Sequence, residues 1–316
     1  MVNIIRIFCI ILDIIFIFIL AIADNVTMPV NFKNTIYIPK GSSTKIIAEL
    51  SKQNFNGTIF DAKLLSLVGM PQHGYIDIGD NSLNKIDFLY KLTIAKPQMI
   101  EITLIPGKTT IITFEDISKK YNFDIGKLED EYIKQTPFYE GFLIPETYLV
   151  AKGFNEKELI EILIKESKKS HKKLSKEYFG DYNETKWIEV LTKASIIQKE
   201  AANIKEMSIV SSVIDNRLSL GMPLQMDGSL NYGKYSNIKI TSDRIKNDTS
   251  RYNTYIHKGL PPAPVCLISI DAIKAALNPD KTKYLYFMRD KKTGEHVFTK
   301  TYKEHINQIN IQRKIK

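Results

Sequence analysis

A glutamate at the rim of a buried helix face is a candidate general acid, and the spacing around Glu200 puts it at such a rim. Trp187, Val190, Leu191, Ala194, Ile197 and Ala201 recur at intervals of three and four, the period of an amphipathic helix. Glu200 falls one turn beyond Ile196 and Ile197, at the edge of that stripe rather than opposite it. Partial desolvation there would raise the carboxyl pKa toward the range useful for proton transfer. The same spacing also fits a solvated glutamate beside Lys199, because charged residues mostly occupy exposed faces.

Other polar residues have types suited to sugars. Gln225 could offer both a donor and an acceptor to an acetamido group, and Asp227 could accept from hydroxyls, although as lone loop residues they point to nothing by themselves. Tyr252-Asn253-Thr254-Tyr255 supplies aromatic faces and an amide at close spacing, which would suit a pyranose and would equally suit a turn packed on the core. No cysteine or histidine cluster has metal-ligand spacing, no glycine-rich phosphate loop is present, and only five histidines occur. A zinc hydrolase is disfavoured, and no cofactor is expected.

Several blocks in one order resemble the endolytic murein transglycosylases, the YceG-like family. They are Glu140-Gly141-Phe142-Leu143-Ile144-Pro145-Glu146-Thr147-Tyr148, the segment around Glu200, Asp215-Asn216-Arg217 through Gln225-Met226-Asp227, and Tyr232-Gly233. Tyr252 to Tyr255, Gly259-Leu260-Pro261-Pro262, Ala275 to Pro279, Tyr284 to Phe287 and His296-Val297-Phe298 complete the series. The resemblance is strong over about residues 137 to 310 and weak before them. It implies Glu200 as the catalytic residue, with Gln225, Asp227, Tyr232, Asn253 and Tyr255 in a substrate cleft. Glu140 has two readings, a second acid near the cleft or a residue orienting its loop. His296 also has two, a contact to the product sugar or a structural histidine. The chain departs from the family pattern at Gly228, where proline is usual, at Asn231, where an aliphatic residue is usual, and at Leu267-Ile268-Ser269, which replaces an Asn-Pro-Gly step.

The elements that must position these residues follow from local signals. Asn155 with Glu158 three residues on caps a lysine-rich helix to about Glu177. Asp181 with Glu184, or Asn183, caps the helix carrying Glu200. A helix from Ile204 to Leu220 stops at Gly221, Asp271 to Leu277 is helical, and strands at Tyr284–Met288 and His296–Phe298 make a hairpin before a basic helix from Tyr302. Upstream, Thr35 to Gln53 reads as strand, Gly turn and helix, and Ile102 to Tyr121 repeats that order. Gly74 to Ile78 alternates as a strand, and Ser82 is expected to begin a helix. Strand, Gly turn and capped helix form the half-unit of LysM-like carbohydrate-binding modules, although an ordinary βα unit fits as well.

Residues 7 to 23 form an apolar run broken by Asp13, near the lower end of the roughly 17–25 residues that span a bilayer. Arg6 before it and Asp24 after it favour a cytoplasmic N-terminus. Ala21-Ile22-Ala23 also has a signal-peptidase pattern, whereas the resemblance implies an uncleaved anchor. Cys9 and Cys266 cannot meet across such a division, so no disulfide is expected. The net charge of +9 is compatible with an anionic polymer or lipid surface, or with a Lys- and Asn-rich compositional bias. Nucleic acid is not expected, because no element concentrates basic residues beside exposed aromatics.

The expectation is therefore an α+β chain in three parts: an N-terminal transmembrane signal anchor (1–24), a small LysM-like α/β domain (30–135) and a larger mixed α/β catalytic domain (136–316). The family resemblance implies a single-pass protein of the bacterial inner (cytoplasmic) membrane with its C-terminal domain in the periplasm. It would act on peptidoglycan glycan strands, with peptidoglycan synthases as candidate protein partners. A lytic transglycosylase can work with one carboxylate, whereas most glycosidases need two. Glu200 would serve as acid and then base, leaving 1,6-anhydro-MurNAc ends. The alternatives are a hydrolytic muramidase using Asp227 as second carboxylate, and a non-catalytic membrane-anchored scaffold that binds peptidoglycan.

Overall fold

The apolar N-terminal run becomes one continuous helix, α1 (Val2–Thr27), in the computed structural model, which describes residues 2–30, 32, 35–79, 83–236 and 238–315. Its stretch Ile4–Thr27, whose hydropathy averages 2.9 over its 18-residue apolar window, is long and apolar enough to cross a membrane. The helix runs unbroken through Ala21-Ile22-Ala23 and closes where the Thr27 hydroxyl donates to the Ala23 carbonyl.

The chain forms two compact units, Met1–Glu101 with Leu149–Phe154, and Ile102–Tyr148 with Asn155–Lys316. In the first unit, α1 is followed by β1 (Pro29–Val30), β2 (Thr35–Ile38), α2 (Ser43–Ser51), α3 (Ile59–Val68), β3 (Gly74–Asp77), β4 (Leu83–Asn84) and α4 (Lys85–Ile94). Strands β2 and β3 are antiparallel, with Ile36 opposite Ile76 and Tyr37 opposite Tyr75. Each helix after α1 in this unit starts on a side-chain cap: Ser42 for α2, Thr58 in a capping box with Asp61 for α3, and Asn84 for α4. Ser82, expected to open a helix, lies outside the described residues, and the helix begins at Lys85. Ile38, Ile46, Leu50, Leu65, Ile76, Phe88 and Leu89 form the core of this unit.

One charge pair is buried in that unit. The Lys85 ammonium lies 3.2 Å from the Asp61 carboxylate, which also accepts from the Thr58 amide and hydroxyl. Lys85→Met would leave that carboxylate buried and uncompensated, so unfolding in denaturant should show a loss of about 3–5 kcal/mol. Asp61→Asn in the same chain should recover most of the loss. Equal stabilities of the two variants would contradict this account of the pair.

Strands β5 (Met99–Thr103) and β6 (Thr147–Ala151) pair and carry the chain between the units. The second unit then contains α5 (Thr110–Tyr121), α6 (Ile125–Ile133), α7 (Glu156–Phe179), α8 (Glu184–Glu200), α9 (Met207–Ser219), α10 (Ser242–Asn247) and α11 (Ile270–Leu277). The hairpin β7 (Tyr286–Arg289) and β8 (His296–Thr299) precedes α12 (Tyr302–Lys314). Asn155 and Glu158 form the capping box of α7, and Asn183 caps α8. Helix α8 packs against α9 and α11, and Trp187, Leu191, Ala194, Ile196 and Ile197 have no exposed surface.

The compact units divide after Glu101, whereas the sequence suggested a boundary after residue 135. The second strand–turn–helix copy belongs with the larger unit because its backbone is bonded there. Gly107 N–H donates to the Leu267 carbonyl at 2.9 Å, and Leu267 N–H donates to Lys108 at 2.8 Å. The Thr109 hydroxyl donates to the Gly233 carbonyl, and Phe114 of α5 packs edge-on against Tyr132. The altered step Leu267-Ile268-Ser269 is thus part of the core: Leu267 and Ile268 are fully buried, and Ser269 caps α11.

Candidate active site

Glu200 is the last residue of α8, and its carboxylate reaches the rim that the stripe of that helix predicts. It is half-buried, and its Oε1 accepts the Gly228 backbone N–H at 2.7 Å. Burial pushes its pKa up to about 7; the Gly228 amide and the Arg217 charge oppose that rise, and the Asp227 charge adds to it. A carboxyl poised there exists in both protonation states near neutral pH, as a group that gives and then takes a proton must.

The segment after α9 delivers the neighbouring groups by alternation. Leu224, Met226 and Gly228 are buried while Gln225 and Asp227 face out. Gln225 has φ 49°, a left-handed conformation uncommon for a residue with a side chain. Its backbone is held there: Gln225 N–H donates to the Thr254 carbonyl, and Met226 N–H donates to the Thr254 hydroxyl. The Tyr255 hydroxyl donates to Asp227 Oδ1 at 2.7 Å, which links the two loops. Burial and the adjacent Asp227 carboxylate push the Tyr255 phenol well above its ordinary value, so it stays a donor.

Glu200, Asp227 and Tyr255 therefore come together, and Gln225 lies on the same outward-facing segment. The other candidates are placed differently. Asn253 is fully buried; its amide donates to the Ile245 and Asp248 carbonyls, and its oxygen accepts from Tyr255 N–H. It shapes the loop that presents Tyr255. Tyr232 stacks on Tyr252 at 4.5 Å, and its hydroxyl reaches Asp248 and Ser250. His296 is bound by Glu206, which accepts from both its backbone N–H and Nδ1 at 2.7 Å. Glu206 also accepts from Ala202 N–H, so the pair ties β8 to the turn that follows Glu200.

Glu140 holds the start of α5, accepting from the Thr110 amide at 3.0 Å and from its hydroxyl at 2.9 Å. Burial raises its pKa to about 7, against the bonds from Thr110 and Gly141 and the charge of Lys199. Of its two readings, the one in which it orients local structure matches these contacts.

Two contributors lay outside the sequence candidates. Arg217 donates from Nη1 to the Leu224 carbonyl and from Nε to the Leu285 carbonyl, with its guanidinium over the Tyr286 ring. It fixes the start of the Gln225–Asp227 segment and brings a positive charge near Glu200. Its signal was present in the sequence, since an arginine at position 217 continues the apolar stripe Val210, Val213, Ile214. The Gly228 amide gave no such signal, because a backbone donor leaves no mark in residue types.

Comparison with known proteins bears on this arrangement. Over 171 residues the chain is 39% identical to the endolytic murein transglycosylase of Bacillus subtilis (strain 168), covering 52% of this chain and 46% of that protein. Over 174 residues it is 34% identical to the protein of the same name from Streptococcus pneumoniae serotype 2 (strain D39), covering 52% of this chain and 31% of that one. The chain thus spans less than half the length of either relative. A crystal structure of a putative YceG-like protein from Listeria monocytogenes shares the fold, with a TM-score of 0.56 and 24% identity over 87% of this chain and 98% of that one. Residues 36–311, most of the sequence and all of the site just described, match the YceG-like family, and the chain belongs to that family.

Proposed function

We propose that the chain is an endolytic peptidoglycan lytic transglycosylase, with Glu200 as its acid and base. The observation that carries this reading is a half-buried carboxyl with its pKa near 7, gripped at one oxygen and facing Asp227 and Tyr255. Protonated Glu200 gives its proton to the glycosidic oxygen as the bond from C1 of MurNAc to GlcNAc breaks. The resulting carboxylate takes the proton of the 6-hydroxyl of the same MurNAc while O6 bonds to C1. The proton returns to Glu200, and the product ends in 1,6-anhydro-MurNAc. Gln225, Asp227 and Tyr255 position the sugars, and Tyr232 and Asn253 support the loops that carry them. The names of the two bacterial relatives support this substrate and this reaction.

α1 serves as a single-pass anchor in the cytoplasmic membrane, with Arg6 on the cytoplasmic side and the folded units exported. The strand–turn–capped-helix pattern of β2 and α2 supports a LysM-like, glycan-binding role for the first unit. Peptidoglycan synthases, which make the strands that such an enzyme would cut, are candidate partners.

A hydrolytic reading has one observation in its favour, the placement of Asp227 beside Glu200. Asp227→Asn separates the two. As a positioning residue it should cost about tenfold in kcat/KM on purified glycan strands, far less than loss of Glu200. As a second catalytic carboxylate it should cost as much as Glu200→Gln. Early products sized by chromatography should be distributed along the strand length, as internal cuts require. Progressive release of disaccharides from one end would contradict the endolytic reading.

A further inference from the structure

We infer that Gly228 is a positioning residue for Glu200: its backbone N–H fixes which carboxyl oxygen carries the proton, and its lack of a side chain lets that N–H reach it. The inference rests on the reading of Glu200 as acid and base. The turn Asp227–Leu230 leaves its first amides without partners inside the turn, and the Gly228 amide is spent on Glu200 Oε1 at 2.7 Å. An oxygen that accepts an N–H is the poorer place for a proton, so the proton resides on Oε2. Among the described residues none donates a hydrogen bond to Oε2. The acid is thereby presented in one orientation, with its proton on the oxygen left for substrate.

The glycine is required by space, not by backbone conformation. Gly228 is absent from the glycines with positive φ, whereas a Cβ there would lie 2.4 Å from Lys199 Cβ and 2.9 Å from Glu200 Oε1. Lys199 Cβ is fixed to the backbone of α8 and cannot swing aside. Any side chain at 228 must therefore push the turn off the end of α8. The turn is otherwise locked: Ser229 N–H donates to the Met226 carbonyl, and the Ser229 and buried Thr254 hydroxyls are 2.9 Å apart. With the turn held at Thr254 and pressed on Lys199, the N–H has one position.

The test replaces glycine 228 by glycolic acid, an amide-to-ester change that removes the N–H and adds no atom. Losing a donor to the charged form should move the alkaline limb of the kcat/KM–pH profile on glycan strands upward by about one pH unit. On the low-pH plateau, where Glu200 is protonated with or without the N–H, the rate should fall about tenfold through lost positioning. Gly228→Ala keeps the N–H but adds the Cβ; kcat should fall at least about tenfold with KM little changed and an unaltered circular dichroism spectrum. If Gly228→Ala fails to fold, the ester variant decides alone. An unshifted pH profile in the ester variant, with Glu200→Gln inactive, overturns the inference and leaves the role of Glu200 standing. Full activity in Glu200→Gln would remove that role itself.

Discussion

Glu200→Gln should abolish most turnover and, above neutral pH, make the protein more stable. Glutamine keeps the shape and can still accept the Gly228 N–H, but it has no proton to give. Proton transfer by a placed side chain contributes roughly 10²–10⁴-fold, and cleavage of glycan strands should fall by that factor. The gain in stability follows from the pKa of about 7 against an ordinary value of 4.5. Between those values the folded chain holds a proton that the unfolded chain has released, so stability falls as pH rises through this window. Above about pH 7 the whole penalty is present, and below about 4.5 it is gone. The neutral glutamine never incurs it. Denaturant unfolding should favour Glu200→Gln by about 1–3 kcal/mol at pH 8 and by little at pH 5. Equal stability of the two proteins at both pH values would show that Glu200 is an ordinary solvated carboxylate.

The largest structural effect is expected at Trp187, the anchor of the helix that ends in Glu200. Its indole N–H donates to His171 Nδ1 at 3.0 Å, and His171 Nε2 lies 2.7 Å from the Phe142 carbonyl. The two bonds fix the tautomer: Nδ1 accepts, and Nε2 carries the hydrogen. Burial lowers the His171 pKa to about 4, outweighing the carbonyl contact, so the ring stays neutral at neutral pH. Trp187→Ala opens a cavity at a site with no exposed surface and should cost about 3–5 kcal/mol. Trp187→Phe keeps most of the volume but leaves His171 Nδ1 buried without a donor, and about 1–3 kcal/mol should be lost. Turnover should drop in both, since α8, α7 and the loop at Phe142 share this network. A melting temperature unchanged in Trp187→Ala would contradict it.

How far these features could be read from residue order depends on the range of the interactions behind them. The stripe on α8 and the half-buried place of Glu200 are local consequences of helical period, and they were legible. So were the Asn155–Glu158 capping box, the stop of α9 before Gly221 and the hairpin of β7 and β8. The repeated pattern at residues 102–121 was read correctly as strand, turn and helix. Its membership of the larger unit was not, because that depends on Leu267, far along the chain. Asn253 and His296 have side chains whose chemistry serves a sugar or the protein equally well. Only the positions of Ile245, Asp248 and Glu206 show that the protein itself takes up these bonds. Gly228 was visible as a departure from the family pattern; the amide it offers to Glu200 appears only in three dimensions.

On the proposed mechanism Glu200 alone moves the proton and the sugar's own hydroxyl is the nucleophile. This is tested most directly by digesting purified glycan strands in ¹⁸O-labelled water and weighing the new ends by mass spectrometry. Anhydro-muramic ends are expected, one water lighter than reducing ends and free of label, lost in Glu200→Gln and persisting at reduced yield in Asp227→Asn. Reducing ends that carry the label, and that vanish equally in the two variants, would contradict that mechanism.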